Sequence, residues 1–396
     1  MTRFRPQDEG ELVKLVAWAA GEGEALEVLA RSTKRALGRP VEAPHVLDVA
    51  AFSGVRSYEP EELVLTAGAA TPMAEIARVL ESAQQMLAFE PGDWGPLLGA
   101  DGGRQTLSGV LAANLAGPRR IKYGAARDHL LGFHAVSGRG EAFKAGGRVV
   151  KNVTGYDLSK LMAGSFGTLA VLTEVTVKVL PRPEETRTLL LAGLGAEPAV
   201  AAMTQALQSP HEVSGAAHIP SDGSGARSTT LLRVEGHKPS VEARSEALRR
   251  ELGEFASVEF LDGAAALTPW RSLADLDFFA GDQSRVVWRL SVAPQAGPGI
   301  AAEIARGLDA KCVFDWGGGL VWLGVASAGD GGAATVRAAI AARGGHATLI
   351  RAPAALRMEV PVFEPLPAAL QDLTRRIKDG FDPRRILNPG RMYRAL

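Results

Sequence analysis

The feature that most constrains the fold is the stretch GSFGTLAVLTEVTVKVLPRP at residues 164–183. Its run of Leu, Val and Thr is rich in β-branched residues and ends in Pro-Arg-Pro, which predicts a buried strand and excludes a membrane helix. The glycines directly before the run indicate that another group approaches this backbone closely. The stretch therefore predicts a core strand that begins at a crowded turn.

The size and charge of the chain exclude several classes of protein. With 396 residues, of which 46% are hydrophobic and 22% charged, the sequence predicts two globular domains. Lys plus Arg and Asp plus Glu number 44 each, so we expect neither nucleic acid nor an anionic bilayer as the main ligand. Cys312 is the only cysteine, which excludes an intrachain disulfide and a multi-cysteine zinc or iron–sulfur site. Such a cluster would belong to a partner.

The sequence carries no targeting or membrane-spanning pattern. No N-terminal stretch has the order of a signal peptide, and no window holds about 18 unbroken apolar residues. We therefore expect a cytoplasmic protein without a transmembrane segment, for which peripheral association with the inner membrane would depend on its partners.

The first half alternates helical and extended patterns. Residues 71–85 predict a helix with Thr71 as its N-cap and Pro72 at its first position. Residues 99–147 are rich in glycine but keep apolar periodicity, which favours a packed segment over a linker. The other predicted elements of this half are a helix at 9–20, a loop at 31–40 and strands at 25–29, 46–49 and 62–67.

The second half contains two passes of one pattern. After Pro183, the order strand, helix, strand, strand, helix, strand occurs twice, and each pass fits a split βαβ unit. Two such units predict an antiparallel sheet with helices on one face, as in a cap domain. A last helix at 367–378 leads into an irregular tail, GFDPRRILNPGRMY.

Three long blocks carry a resemblance to a known family. They are GVLAANLAGPRRIKYGAARDHLLG, GGRVVKNVTGYDLSKLMAGSFGTLAVLTEVTVKVLPRPE and DPRRILNPGRMY. In these blocks the chain resembles FAD-binding flavoproteins of the vanillyl-alcohol oxidase and p-cresol methylhydroxylase type, and within them the E-subunit family of bacterial glycolate oxidases. The resemblance implies an α+β fold with a two-part FAD-binding domain at 1–181, a ferredoxin-like-repeat cap domain at 182–365 and a segment at 366–396 that returns to the FAD domain.

The resemblance also implies non-covalent FAD and the segments that hold it. Backbone N–H groups would meet its pyrophosphate, and small residues would allow the flat ring to approach the chain. For Gly164 and Gly167, the alternative is a tight turn that serves only the core strand. The implied contacts are Ser32, Thr33, Lys34, Gly38, Pro91, Gly92, Asp93, Thr106, Ser108, Gly109, Asn114, Gly117, Gly167, Thr168, Leu169, Val171 and Thr173.

The phosphate loop departs from the family pattern, a triple glycine followed by Ser or Thr. Ala30, Arg31 and Ser32 occupy the glycine positions, where we expect costly positive φ angles. Lys34 and its arginine neighbours could compensate electrostatically. Ala70 also replaces a usual glycine, so the affinity for FAD is in question more than the fold.

Several polar residues have both a binding and a structural interpretation. Asn114 could contact the flavin or satisfy backbone groups, and Tyr156 could line the site with Lys151 and Asn152. For Arg119, Arg120 and Arg127, the choice is between steering an anionic substrate and a structural or solvated role. The histidines at 129, 134, 211 and 218 form no recognisable metal motif, so we assign neither a metal nor a catalytic base.

Three functions remain open from the sequence. The first is an FAD-binding subunit of a glycolate oxidase or dehydrogenase complex, which oxidises a small 2-hydroxy acid (glycolate to glyoxylate) and passes electrons to a paralogous catalytic flavoprotein subunit and an iron–sulfur subunit. The second is a self-sufficient FAD-dependent dehydrogenase for a hydroxy acid or alcohol. The third is a structural subunit that has lost FAD.

Overall fold

The computed structural model describes residues 1–147, 156–221, 226–327 and 329–395, which form two compact units. The first unit comprises Met1–Leu115, Gly124–Arg182 and Pro361–Leu396, and the second comprises Ala116–Tyr123 and Pro183–Val360. Unlike the predicted first domain, the first unit lacks Ala116–Tyr123. The predicted domain boundaries themselves stay a prediction.

Helices and strands alternate along the whole chain, as in an α+β protein. The strands are β1 (Thr2–Phe4), β2 (Leu26–Leu29), β3 (His45–Asp48), β4 (Val55–Glu59), β5 (Val64–Gly68), β6 (Gln85–Met86), β7 (Leu130–Ser137), β8 (Ala142–Gly146), β9 (Ala170–Lys178), β10 (Leu180–Pro181), β11 (Glu185–Ala192), β12 (Gly215–Ile219), β13 (Thr229–Gly236), β14 (Val258–Leu261), β15 (Arg285–Ser291), β16 (Ala310–Asp315), β17 (Leu320–Ala326) and β18 (His346–Arg351). The helices are α1 (Glu9–Glu22), α2 (Met73–Ser82), α3 (Leu107–Ala112), α4 (Arg120–Tyr123), α5 (Ala126–His129), α6 (Leu158–Met162), α7 (Ala196–Gln208), α8 (Lys238–Glu251), α9 (Gly263–Asp275), α10 (Asp277–Ala280), α11 (Gly297–Gly307), α12 (Ala333–Arg343), α13 (Ala354–Glu359) and α14 (Ala368–Phe381).

The first unit contains a parallel and an antiparallel sheet. The three-stranded sheet has the order β1-β3-β2 with parallel pairs, and the five-stranded sheet has the order β4-β5-β9-β7-β8 with antiparallel pairs. The β-branched run of residues 164–183 forms β9, which lies between β5 and β7 at the centre of the sheet. Its central place explains its apolar sequence, since both faces are largely covered.

The predicted N-cap of α2 is wrong. The helix begins at Met73 with Pro72 as its N-cap, and the Thr71 side chain caps nothing. Instead, the Thr71 hydroxyl donates to the Gly68 carbonyl at 2.6 Å and accepts the Gly54 N–H at 2.9 Å. Thr71 is fully buried, and its single hydroxyl is used to join two loops.

The second unit is built on an eight-stranded antiparallel sheet. Its order is β14-β11-β13-β12-β16-β17-β15-β18, so each pass of the predicted pattern forms four adjacent strands, and the two passes meet where β12 pairs with β16. Leu189 and Leu191 of β11 pack in a core cluster with residues of α7 and α8. The opposite face is not bare, because α9, which the sequence analysis did not assign, packs there: Trp270 donates to the Thr188 hydroxyl at 2.7 Å.

The C-terminal tail completes the core of the first unit. Ile386 and Leu387 pack with Leu12 of α1, Leu26 of β2 and Leu47 of β3. Leu387 also forms a parallel bridge with Leu26. Removing the tail would therefore open the hydrophobic core as well as the surface above it.

A buried ion pair holds the tail in place. The Lys378 ammonium of α14 donates to the Asp382 carboxylate at 2.7 Å, to the Thr168 carbonyl at 2.6 Å and to the Leu387 carbonyl at 3.1 Å. Burial lowers the pKa of Lys378, although Asp382 acts in the opposite direction. The Asp382 carboxylate in turn accepts the N–H groups of Ile386 and Leu387. Every hydrogen of this ammonium has an acceptor, which is the condition under which a buried pair is tolerated.

We expect Asp382→Asn to reduce the free energy of unfolding by about 3–5 kcal/mol, because it leaves the buried Lys378 charge uncompensated. Asp379→Asn is the matched control, since Asp379 lies on the same helix and its pair with Arg385 is about half exposed. That control should cost at most about 1 kcal/mol. Urea unfolding followed by circular dichroism measures both, and equal losses would contradict the central place given to the buried pair.

Candidate functional site

A pocket in the first unit collects residues from four distant parts of the sequence. Its walls come from residues 28–37, 106–113 and 165–172, and Asn388 and Arg391 of the tail complete it. It is a cleft that is partly open to solvent. Part of its lining consists of the small residues Ala112, Ala113 and Gly167.

The loop after β2 presents unused hydrogen-bond donors to this pocket. Among the described residues, the successive backbone N–H groups from Arg31 to Lys34 have no acceptor. The hydroxyls of Ser32 and Thr33 stand beside them and also have no partner in the described part of the chain. Successive free N–H groups around a residue of positive φ form a concave site for an anion.

The expectation of three positive φ angles in this loop is wrong. Only Ser32, with φ of 61°, has the left-handed conformation, whereas Ala30 and Arg31 do not. One strained residue costs about 1–3 kcal/mol, not three times that amount. The loop is further held at its base by Arg35, whose guanidinium binds the buried Glu27 carboxylate at 2.7 and 2.6 Å.

Lys34 places a cation at the same end of the pocket. Its Nζ donates to the Gln105 side chain at 3.0 Å. Burial lowers the pKa of Lys34 to about 8, and the Asp93 carboxylate acts in the opposite direction. At neutral pH the ammonium is therefore mostly charged, and a nearby anion would favour its charged form further.

The tail joins the two sides of the pocket through Asn388. Its side-chain oxygen accepts the Val28 N–H at 2.8 Å, and its Nδ2 donates to the Phe166 and Gly167 carbonyls at 3.0 and 3.3 Å. Arg391 donates to the Lys34 carbonyl at 2.7 Å, and its own carbonyl accepts the Arg39 N–H at 2.8 Å.

The glycine at 167 is explained by this tail. Gly167 has φ of 68°, and a Cβ there would lie 2.8 Å from Asn388 Nδ2. Gly164 also has positive φ, but a Cβ there would meet only the Asn114 Cβ at 3.5 Å, an ordinary contact. The group that closely approaches the backbone at Gly167 is thus the Asn388 side chain of the tail.

The pocket brings together about half of the residues that the sequence analysis assigned to the cofactor. Those that line it are Ser32, Thr33, Lys34, Thr106, Ser108, Gly109, Gly167 and Val171. Those that do not line it are Gly38, Pro91, Gly92, Asp93, Asn114, Thr168, Leu169 and Thr173, and Gly117, which belongs to the second unit.

Several of the residues outside the pocket lining have a structural role. Asp93 accepts the N–H groups of Gly95 and Gly103, and the Asn114 side chain accepts the Arg127 N–H at 3.0 Å. The Thr168 hydroxyl donates to the Ser165 carbonyl at 2.7 Å. These bonds fix the loops around the pocket.

Other polar residues that the sequence analysis considered lie elsewhere. Tyr156 is 95% exposed, and Lys151 and Asn152 lie outside the described residues. In the second unit, Arg119 binds the buried Glu235 carboxylate at 2.5 Å. Burial opposes ionisation of that carboxylate, but Arg233 and Arg119 lower the pKa of Glu235 to about 2. Arg119 therefore has a structural role, as the ion-pair partner of the buried Glu235.

The histidines have separate environments. His218 is fully buried, its Nδ1 lies 2.9 Å from the Thr230 hydroxyl, and burial lowers its pKa to about 4. His211 instead lies 2.9 Å from the Glu251 carboxylate, and His129 packs against Phe89. The residues that the structure describes contain no group of three or more His, Cys, Asp or Glu arranged for a metal ion.

Sequence reasoning missed part of the pocket. Val28, Ala112, Ala113 and Phe166 line it, yet their sequence signal is only that of core residues. Asn388 was expected near the flavin only as part of the tail motif, and its hydrogen bonds to Val28 and Gly167 were not foreseen. The Asn-Pro-Gly sequence was the available signal, because it predicts a defined turn.

Comparisons with known proteins decide the family. A family model described as "FAD binding domain" matches residues 3–146. The Escherichia coli (strain K12) protein "Glycolate oxidase subunit GlcE" is 35% identical over 387 residues, and the match covers 97% of this chain and 97% of that protein. The chain belongs to the GlcE family of FAD-binding flavoproteins. Its cofactor is FAD, as the resemblance implied.

Two further proteins resemble this chain, one in part of its sequence and one in its fold. "Glycolate oxidase subunit GlcD" of Bacillus subtilis (strain 168) is 33% identical over 157 residues, which cover 39% of this chain and 32% of that protein. A solved structure of "alkyldihydroxyacetonephosphate synthase" has a TM-score of 0.71 at 18% identity, over 100% of this chain and 77% of that one. The fold is that of the p-cresol methylhydroxylase-type FAD-binding proteins, as expected.

We expect Gly167→Ala to reduce the free energy of unfolding by about 1–3 kcal/mol more than Gly164→Ala. Both substitutions strain the backbone, but only the first forces a methyl group against Asn388. Urea denaturation of both variants tests this. Combining Gly167→Ala with Asn388→Ala should remove most of the excess loss, whereas simple additivity of the two losses would contradict the assigned contact.

Proposed function

We propose that this chain is the FAD-binding subunit of a glycolate oxidase or dehydrogenase complex, which oxidises glycolate or a similar 2-hydroxy acid to the 2-oxo acid. The main support is the loop at 31–34, which lines the pocket of a unit that the FAD-binding family model matches, and whose N–H groups have no acceptor among the described residues. The name of the E. coli relative, a subunit of glycolate oxidase, supports the complex.

In this proposal, the donors of the loop hold the pyrophosphate of FAD. Ser32 and Thr33 add hydroxyls, and Lys34 adds a charge-assisted hydrogen bond. Gly109, Gly167 and Val171 form the surface along which the rest of the cofactor lies. Bound FAD supplies two-electron oxidation of a CH–OH group. The chain's own residues bind and orient the cofactor and exclude water from it, and we assign none of them as a catalytic base.

We also keep as proposed FAD contacts the residues that the sequence analysis assigned to the cofactor but that do not line the pocket. They are Gly38, Pro91, Gly92, Asp93, Asn114, Gly117, Thr168, Leu169 and Thr173.

The proposed partners are a paralogous catalytic flavoprotein subunit and an iron–sulfur subunit. With Cys312 as its only cysteine, this chain cannot itself hold a cysteine-ligated cluster, so electron transfer from the flavin to an iron–sulfur cluster would need another subunit. In the described part of the chain, no helix has the length and apolarity to cross a bilayer. Any contact with a membrane would in this proposal be made by the partners.

We expect Lys34→Met to weaken FAD binding at pH 7 by at least about tenfold, because it removes a charge-assisted hydrogen bond to the pyrophosphate. Lys14→Met, an exposed lysine of α1, is the control and should change nothing. Quenching of FAD fluorescence on titration with apoprotein measures the dissociation constant. Equal affinities of the two variants would remove Lys34 from the site.

The pH dependence of FAD affinity is a second test of the role proposed for Lys34. FAD selects the protonated lysine, so the affinity of the wild type should be constant below pH 8 and should fall as pH rises above the pKa of about 8. Lys34→Arg keeps its charge over this range and should show no such fall. A wild-type affinity that is flat from pH 6 to 9.5 would contradict the proposed role.

The proposed place in a complex predicts where activity resides. The isolated chain should be purified yellow, with close to one flavin per chain, and should not reduce an artificial acceptor with glycolate. Coexpression with a paralogous flavoprotein subunit and an iron–sulfur subunit should give glycolate-dependent reduction. Turnover by the isolated chain would favour the self-sufficient dehydrogenase, and a colourless chain that still assembles would favour the structural subunit.

A further inference from the structure

Two arginines of the second unit stack on one tryptophan. Trp316 lies in the short 3₁₀ turn Trp316–Gly318 after β16, and its indole N–H donates to the Gly117 carbonyl at 3.1 Å. The Arg120 guanidinium lies 4.4 Å from the centre of this ring, and that of Arg289 lies 5.2 Å from it. An indole face stabilises a guanidinium cation, but it does not accept hydrogen bonds from the N–H groups at the edge of the guanidinium.

The strand pattern places Arg289 on the face of the sheet opposite α12. Trp288, its neighbour on β15, faces α12, where the Arg337 guanidinium lies over its ring. Because successive side chains of a strand point to opposite faces, Arg289 points to the other face of the sheet. As a whole residue, Arg289 is partly buried there.

Arg289 differs from Arg119 and Arg351 of the same unit. Arg119 binds a carboxylate at 2.5 Å, and Arg351 donates to the Phe279 carbonyl at 2.8 Å. Among the described residues, Arg289 has neither a hydrogen-bond acceptor nor a carboxylate partner. Burial, and after it the like charge of Arg120, lower the pKa of Arg289 to about 10.

Such an arrangement is costly without a ligand. A desolvated guanidinium loses its hydrogen bonds to water, and a second cation close by adds repulsion. An anion would supply both the missing acceptor and the opposite charge. The carboxylate next to Trp316 in sequence, Asp315, accepts the backbone N–H of Trp316 at 2.7 Å.

We propose that Arg289, Arg120 and Trp316 form a binding site for a small carboxylate anion in the second unit. The planar fork of Arg289 would donate two parallel hydrogen bonds to the carboxylate, a geometry that a guanidinium offers and an ammonium does not. Arg120 adds positive potential, and the Trp316 ring holds both guanidiniums in place. The inference depends on the second unit alone and not on FAD.

The experiment is calorimetric titration of the full-length protein with sodium oxalate and sodium glycolate, at constant ionic strength maintained with sodium chloride. Arg289→Met should weaken binding by at least about tenfold. Arg306→Met, an exposed arginine of α11, is the matched control and should bind like the wild type. Arg289→Lys keeps the charge without the fork and should give intermediate affinity, which also provides a test if the methionine variant does not fold.

Thermal unfolding gives a second readout of the same site. Oxalate should raise the Tm of the wild type and of Arg306→Met, but not that of Arg289→Met. Absence of carboxylate binding by the wild type, unchanged binding by Arg289→Met, or binding of sulfate without any carboxylate would each overturn the inference. A chain that binds FAD but no carboxylate overturns this inference alone, whereas one that binds oxalate but no FAD overturns the proposed function alone.

Discussion

The buried Lys378–Asp382 pair is the interaction on which the rest of the first unit depends. It places the tail so that Ile386 and Leu387 enter the hydrophobic core and Asn388 reaches Val28 and Gly167. Three segments that are far apart in sequence are thereby fixed around one pocket. Because a buried charge is tolerated only with all its hydrogen bonds made, this arrangement admits little variation in the path of the tail.

The loop at 31–34, our proposed phosphate loop, is fixed in place without a glycine. Only Ser32 takes the left-handed conformation, and the loop is held from behind by the Arg35–Glu27 pair and by the bond from Arg391 to the Lys34 carbonyl. Within the described ranges, the N–H groups of the loop have no acceptor. Backbone donors that are held in place need no reorganisation when an anion binds, which compensates for the strain at one residue.

The second unit uses its polar residues in two ways. Glu235, between Arg233 and Arg119, is buried with both of its carboxylate oxygens hydrogen-bonded, and such a cluster specifies one arrangement of the strands around it. Arg289, by contrast, is desolvated beside Arg120, and no carboxylate pairs with Arg289 itself among the described residues. One repeat of the same βαββαβ pattern thus contains a satisfied polar core, and the other contains an unsatisfied cation.

Local sequence was sufficient for the elements with strong patterns. The two repeats of the second half, the buried strand β9 and helix α14 were all predicted, because their apolar periodicity and their turn residues are local properties. The strands β1 and β4 were missed, since both are short and half polar at sheet edges, where few residues need to be apolar. Helix α9 was also missed, and it contains a proline that argues locally against a helix.

The sequence by itself determined the family, the α+β class and the cofactor. It also located the segment that contains the proposed phosphate loop, residues 31–34. Only the tertiary structure decided which glycines are needed and why: Gly167 is constrained by Asn388, a side chain more than two hundred residues away. It also decided that one residue of the loop, Ser32, is strained, and that the Arg289 side chain stacks on Trp316 without a hydrogen-bond acceptor in the described part of the chain. Steric crowding and charge balance depend on neighbours that the chain brings together only when it folds, and no local pattern records them.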